Sequence, residues 1–285
     1  MLSRIKDYIR ILRPKHWTKN FLIFAGLLFS FSFDKKSIIL SFLGFVIFTL
    51  ISSSVYIIND IIDAEKDKLH PKKRYRPIPS GRIKKKTAGF LSFIIFLPTI
   101  FFSSFLGMKF FLTVSLYFIL NILYSLFLKN VVLMDIFIIA IGFILRALAG
   151  VFIIDVYLSN WFILATLFIS LFLAGCKRRH ELLFIDDKAK REVLKHYNAE
   201  LIDILISIFS TSTIITYSIY VIMEHPEFIF SIVFVIYGIG RYLYIVYKKE
   251  EGGEPEKHLL NDIHILLTVL LYVFFIILVH FWRGY

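Results

Sequence analysis

The chain has 285 residues, of which 58% are hydrophobic and 32 are phenylalanine, with a formal net charge of +12 and a mean hydropathy of +0.75. This apolar excess excludes an ordinary soluble domain, and the single Cys176 excludes an intrachain disulfide or a cysteine-built metal centre. Excess positive charge suits either nucleic acid or membrane topology; its placement along the chain favours topology, so no nucleic-acid partner is expected.

The opening MLSRIKDYIRILRPKHW is polar and basic. It predicts an amphipathic interfacial helix at about 3–13, broken by Pro14. No A-x-A-like cleavage site follows the first apolar run, so a cleavable signal peptide is not expected. Nine helical spans are predicted at about 18–33, 38–59, 88–106, 109–128, 131–154, 159–176, 201–223, 227–248 and 263–282. An odd number of spans puts the termini on opposite sides. With the N-terminus inside, 27 of the 33 Lys and Arg residues are cytoplasmic and four are external; Arg146 and Arg241 lie within spans. That asymmetry predicts a multi-pass plasma-membrane protein whose N-terminus and polar constellations face the cytosol. The fold expected is all-α and integral to the membrane, a single domain over 1–285 with site loops at about 60–87 and 177–200.

The first constellation is NDIIDAEKDKLHPKKRYRPIPSGR, residues 59–82. On a helix, Asp60, Asp63 and Asp67 stand i, i+3, i+7 on one face, with Asn59 and Asp63 at i, i+4. Carboxylates at a membrane edge are expensive and usually mark a site. A hard cation such as Mg²⁺ takes several oxygens together with substrate phosphates, so this face is a candidate Mg²⁺–phosphate site. The bland reading is a solvated helix end balanced by lysines, which fits Glu65. Lys73, Arg74 and Arg76 follow as candidates for the rest of a polyanion.

Lys19 and Asn20, at the head of the first apolar run, are candidate phosphate contacts, while Trp17 reads as an interfacial belt residue. Tyr124, Lys129 and Asp135 bracket the turn between the fourth and fifth spans. Arg146 lies 11 residues beyond Asp135 on the same helical face. Deep in the bilayer, Arg146 is either a helix-locking group or a substrate contact. Lys177, Arg178, Arg179 and Glu181 end the sixth span; this basic cluster suits a lipid phosphate head group as well as it suits topology. His180 alone makes no metal site.

With these residues in view, the chain resembles the UbiA superfamily of intramembrane prenyltransferases over essentially its full length. The motif N-D-x-x-D-x-x-x-D is matched by Asn59, Asp60, Asp63 and Asp67, and a Tyr–Lys element by Tyr124 and Lys129 at a longer spacing. The resemblance implies a nine-helix bundle around a central cavity open to the cytoplasmic side and to lipid. It also implies a second Asp-rich motif after the sixth helix, yet this chain carries GCKRRHEL there. Asp186 and Asp187 come later, in a soluble-looking stretch. A diphosphate–Mg²⁺ complex needs carboxylates, whereas Lys and Arg hold a phosphomonoester directly. The basic version, with RPKHWTKN, HPKKRYRPIPSG, LMDIFIIAIGFILRALAG and GGEPE, resembles the decaprenyl-phosphate phosphoribosyltransferase branch. That branch implies Mg²⁺-dependent transfer of 5-phosphoribose from phosphoribosyl diphosphate to a polyprenyl phosphate in cell-envelope biosynthesis. The rivals are a prenyltransferase using prenyl diphosphate and a non-enzymatic lipid-phosphate binder or transporter; a homo-oligomer is compatible with all three.

Overall fold

In a computed structural model, residues 2–185, 190–250, 252–253 and 261–282 are described. Asp186, Asp187, Arg283 and the Glu254–Pro255–Glu256 part of the GGEPE run lie outside them. The described residues are helical, with no strand among them. They form α1 (Leu2–Ile11), a 3₁₀ segment (Pro14–Phe24), α2 (Ala25–Phe29), α3 (Lys35–Ile62), α4 (Ala64–Leu69), α5 (Lys85–Ser103) and α6 (Met108–Leu126). Then come α7 (Met134–Ile154), α8 (Asn160–Phe184), α9 (Ala199–Glu224), α10 (Ile232–Lys248) and α11 (Ile263–Trp282). Eight of the described helices are long and apolar enough to cross a membrane, and the chain is an integral membrane protein.

The expected first span at 18–33 is not among those eight. Its residues form the 3₁₀ segment and the five-residue α2 instead. A 3₁₀ turn rises about 2.0 Å per residue, so this stretch is thinner and longer than an α-helix of equal residue count. The 3₁₀ segment and α2 both lie close against α7, where Ile23 and Gly26 meet the backbone of Gly150. A Cβ built on Gly150 would sit 1.8 Å from the Ile23 carbonyl oxygen, so no side chain fits there.

The chain divides into two compact units, 1–158 with 186–193, and 159–185 with 194–285. In the first, α3 and α7 are the most buried spans, at 50% and 61%, against 17% for the span beginning at Lys85. Ile23, Phe48, Ile51, Val114, Tyr117 and Leu145 pack as its larger core. A second cluster joins Ile11 and Ile57 to Ile78 and Ile83. This cluster matters for function, because Ile78 and Ile83 pin the basic loop after α4 onto the unit. The loop is tightened by Ser80 N–H donating to the Arg76 carbonyl (3.0 Å) and by Gly81, whose φ of +78° suits glycine. In the second unit α8 and α9 are the principal packed pair.

Candidate active site

α3 begins with Asp34 capping the Lys36 and Ser37 amides at 3.0 and 3.1 Å. It runs 28 residues, which carries Asn59 and Asp60 to its far end. At Asp63 the backbone turns to ψ near 0° and α3 gives way to α4. The helical bonds continue across the break: Asp63 N–H donates to the Asn59 carbonyl at 2.9 Å and Asp67 N–H to the Asp63 carbonyl at 2.8 Å. The expected shared face therefore survives the kink.

That face is closed by cations. Arg76 Nη1 lies 3.0 Å from Asp60 Oδ1 and 2.8 Å from Asp67 Oδ2, so one guanidinium bridges the first and third aspartates. Arg13 pairs with Asp60 through both Nε and Nη2. Lys129 pairs with Asp63, and Lys73 Nζ is 3.9 Å from Asp67. Asn59 Oδ1 accepts from Ser125 Oγ at 3.0 Å. Burial pushes the Asp67 carboxyl above its ordinary value; Arg76 and Lys73 oppose this, and Asp60 and Asp63 reinforce it. Burial, with Arg13 nearby, draws Arg76 below its ordinary value, while Asp60 and Asp67 hold it up. Glu65 stands apart as an exposed partner of Lys68 (2.7 Å) and Lys85 (2.9 Å).

Among the described residues no carboxylate and imidazole side chains make a ready-made metal cage. Three carboxylates and the Asn59 amide oxygen, gathered where four basic side chains converge, still have the chemistry of a Mg²⁺ site. Mg²⁺ is ordinarily held by one or two carboxylates with waters and substrate phosphates rather than by an all-protein cage. The residues present fit the ion.

Arg13 is the member that the sequence pattern does not single out. It adopts φ 53° and ψ 59°, a left-handed conformation uncommon outside glycine, and its guanidinium lies 5.0 Å from the Tyr56 ring centroid. Trp17 Nε1 lies within 3.2 Å of both the Leu12 carbonyl oxygen and Ser53 Oγ, so it ties the chain entry to α3. Arg74 sits on the loop surface, donating to Tyr75 OH at 2.7 Å. Tyr124 OH accepts from Arg191 Nη1 at 2.8 Å. Lys19 is half-buried on the 3₁₀ segment, and Asp135 is fully buried in the first turn of α7.

Asn20 and Arg146 meet away from the aspartates. Arg146 is 4% exposed. It donates to Asn20 Oδ1 (2.8 Å), the Gly142 carbonyl (2.7 Å) and Tyr117 OH (2.7 Å). Asn20 Nδ2 in turn donates to Thr49 and Ser52, each at 3.1 Å. This polar network joins the 3₁₀ segment, α3, α6 and α7.

In the second unit the basic end of α8 is also ordered by acids. Arg178 is fully buried and bonds Glu181 Oε2 at 2.7 Å. Arg179 Nε donates to Asp203 Oδ1 at 2.7 Å and stacks 4.1 Å from the Tyr247 ring. Lys177 is half-buried beside them. His180 meets the chain just ahead of the GGEPE run, with Nδ1 3.1 Å from the Glu250 carbonyl oxygen. Lower on α8, Phe172 and Leu173 line an apolar cavity of about 270 Å³ with residues of α10 and α11, among them Phe234, Ile239 and Ile265.

A decaprenyl-phosphate phosphoribosyltransferase of Corynebacterium glutamicum is 30% identical over 95% of this chain and 85% of its own length. The uncharacterized protein y4nM of Sinorhizobium fredii is 39% identical over 48% of the chain. The match covers only 27% of that relative, and 44% of a Mycolicibacterium smegmatis decaprenyl-phosphate phosphoribosyltransferase, so the chain spans less than half of these two. A digeranylgeranylglyceryl phosphate synthase of Sulfurisphaera tokodaii is 36% identical over 35% of each chain. Among solved structures, a UbiA homolog from Archaeoglobus fulgidus bound to GPP and Mg²⁺ superposes with a TM-score of 0.73 at 21% identity, covering 96% of this chain and 99% of that one. Residues 20–263 match the UbiA prenyltransferase family, and the chain belongs to that family.

Proposed function

We propose that the protein transfers 5-phosphoribose from phosphoribosyl diphosphate to a polyprenyl phosphate of the decaprenyl type and releases diphosphate. The observation that carries this reading is the end of α8. Where a prenyl-diphosphate enzyme of the family wants a second set of acids, this chain has Lys177, Arg178 and Arg179, and its Glu181 is already taken by Arg178. Basic side chains suit a phosphomonoester nucleophile. Leu173 of the apolar cavity and Lys177 are one helical turn apart, about 6 Å along α8, so apolar wall and basic cluster follow one another as an anionic lipid requires.

On this reading Asp60, Asp63 and Asp67, with Asn59 beside them, hold Mg²⁺, which supplies neutralisation of the leaving diphosphate. Lys73, Arg74 and Arg76 bind donor phosphate oxygens, Arg76 moving from carboxylate to phosphate as the site loads. Lys129 and Tyr124 orient the donor beside Asp63. A phosphomonoester carries a charge of about −1.5 to −2 at neutral pH, so it needs no general base to attack C1. Lys177 and Arg179 position its oxygens, and Arg178 with Glu181 fixes the helix end that carries them. Asn20, Lys19, Asp135 and Arg146 shape the membrane side of the first unit. The basic side faces the cytosol across the plasma membrane, where soluble phosphorylated sugars are found; the Lys and Arg asymmetry supports this.

The second reading, prenyl transfer from a prenyl diphosphate, is favoured by the synthase relative and by the shared first Asp motif. Purified protein incubated with pentose-labelled phosphoribosyl diphosphate, Mg²⁺ and a polyprenyl phosphate separates the two. Label entering the organic phase is the expected result. Its failure to do so, with consumption of a prenyl diphosphate instead, would replace the first reading by the second.

A further inference from the structure

Beside the aspartates lies a small polar cavity of about 40 Å³, lined by Asp63, Lys66, Asp67, His70, Lys73, Lys129, Asn130 and Arg191. It belongs wholly to the first unit, because residues 186–193 group with 1–158 although α8 and α9 on either side of them do not. Arg191 is thus delivered to the Asp motif from far along the chain. Val193, two residues on, is fully buried and anchors it. Tyr124, in the last turns of α6, takes one of its N–H groups at 2.8 Å, which tethers the guanidinium beside the cavity. Glu192 lies 4.0 Å from Lys66 and ties the same stretch to α4.

We propose that this cavity is a phosphomonoester pocket in which Arg191, with Lys66 and Lys73, grips the phosphate at the end of the donor remote from the diphosphate. The charges support it. Lys66, Lys73, Lys129 and Arg191 line it beside Asp63 and Asp67, so bases outnumber acids on its wall. A phosphomonoester brings close to two negative charges. Size does not oppose it, since a space of about 40 Å³ is more than a single water needs. A guanidinium presents a fork of N–H donors that matches phosphate bidentately, which a lysine does not. The inference rests on the proposed donor and sharpens it. A prenyl diphosphate has one anionic end and leaves this pocket unused, whereas a phosphorylated sugar diphosphate has two, so Arg191 is a specificity-determining residue.

Ribose 5-phosphate is the probe, titrated calorimetrically without metal into the purified full-length protein, with inorganic phosphate as competitor. Arg191→Gln should weaken binding about 10–100-fold, the range for hydrogen bonds to charged groups. Arg191→Lys should recover only part of it, and Tyr124→Phe should fall between wild type and Arg191→Gln. Thermal unfolding of each variant is followed in parallel and should match wild type. Equal affinity in wild type and Arg191→Gln, or no binding to wild type, overturns the pocket. Wild-type label transfer from phosphoribosyl diphosphate with an unchanged KM in Arg191→Gln overturns the pocket and leaves the proposed reaction standing. Arg191-dependent binding of ribose 5-phosphate without any transfer does the reverse.

Discussion

Replacing Arg76 with glutamine removes the guanidinium that lies 3.0 Å from Asp60 and 2.8 Å from Asp67. Asp60 keeps Arg13, whereas Asp67, 4% exposed, is left with Lys73 at 3.9 Å. Breaking a buried ion pair costs about 3–5 kcal/mol because a charge stays behind without its partner. The Arg76 side chain is 30% exposed, so water takes up part of that, and about 2 kcal/mol is expected. A divalent cation at about 100 times its dissociation constant returns up to about 2.7 kcal/mol. It should return more to the variant than to wild type, where Arg76 competes for the same two carboxylates. Unfolding in detergent is measured with and without MgCl₂, with NaCl added to match ionic strength. The variant should be less stable without Mg²⁺ and gain more from it. An unchanged metal-free stability, or the same Mg²⁺ increment in both proteins, would refute the idea that these aspartates await a cation.

Gly150→Ala forces a Cβ to within 1.8 Å of the Ile23 carbonyl oxygen and should cost about 3 kcal/mol or more, read as lost folded yield and a lowered unfolding midpoint; a change below about 0.5 kcal/mol would show that the 3₁₀ segment does not pack there. Arg146→Met removes three hydrogen bonds; at about 0.6 kcal/mol each within a membrane the expected loss is about 2 kcal/mol in thermal unfolding, and a neutral result would contradict a locking role. Glu65 is held down to about 2 by Lys68 and Lys85, so its folded value lies below the ordinary 4.5. Such a group stabilises above the unfolded value and loses that contribution as pH falls toward 2. The stability difference between wild type and Glu65→Gln should therefore shrink on acidification below 4.5 and also with added salt; a difference independent of pH would remove the pair from the surface balance.

The aspartate motif was legible because its residues are close in sequence and helical spacing alone puts them on one side. The kink at Asp63 was not, yet it left the face intact because the i to i−4 bonds run through it. The bases at the end of α8 were equally plain, since a charge run against an apolar helix announces itself. Partners across long separations were hidden. Arg13 reaches Asp60 over 47 residues from a left-handed backbone position that no local preference favours, and Arg191 reaches Tyr124 over 67. Both sit in basic stretches that topology explains by itself, and no pattern separates an anchoring arginine from a site arginine. The winding of the first apolar run was hidden for another reason. Hydropathy reports that a segment is buried, not how it is wound, and the close approach of the Ile23 carbonyl to Gly150 is a long-range contact that no local pattern announces.

The most direct test offers the purified protein phosphoribosyl diphosphate and a prenyl diphosphate at equal concentration, each labelled in its diphosphate, with Mg²⁺ and polyprenyl phosphate present. Labelled diphosphate should come from the sugar donor alone, and only when the polyprenyl phosphate is added. Release from the prenyl donor, or release from neither, would contradict the assignment of carboxylates to a sugar diphosphate and of bases to a lipid phosphate.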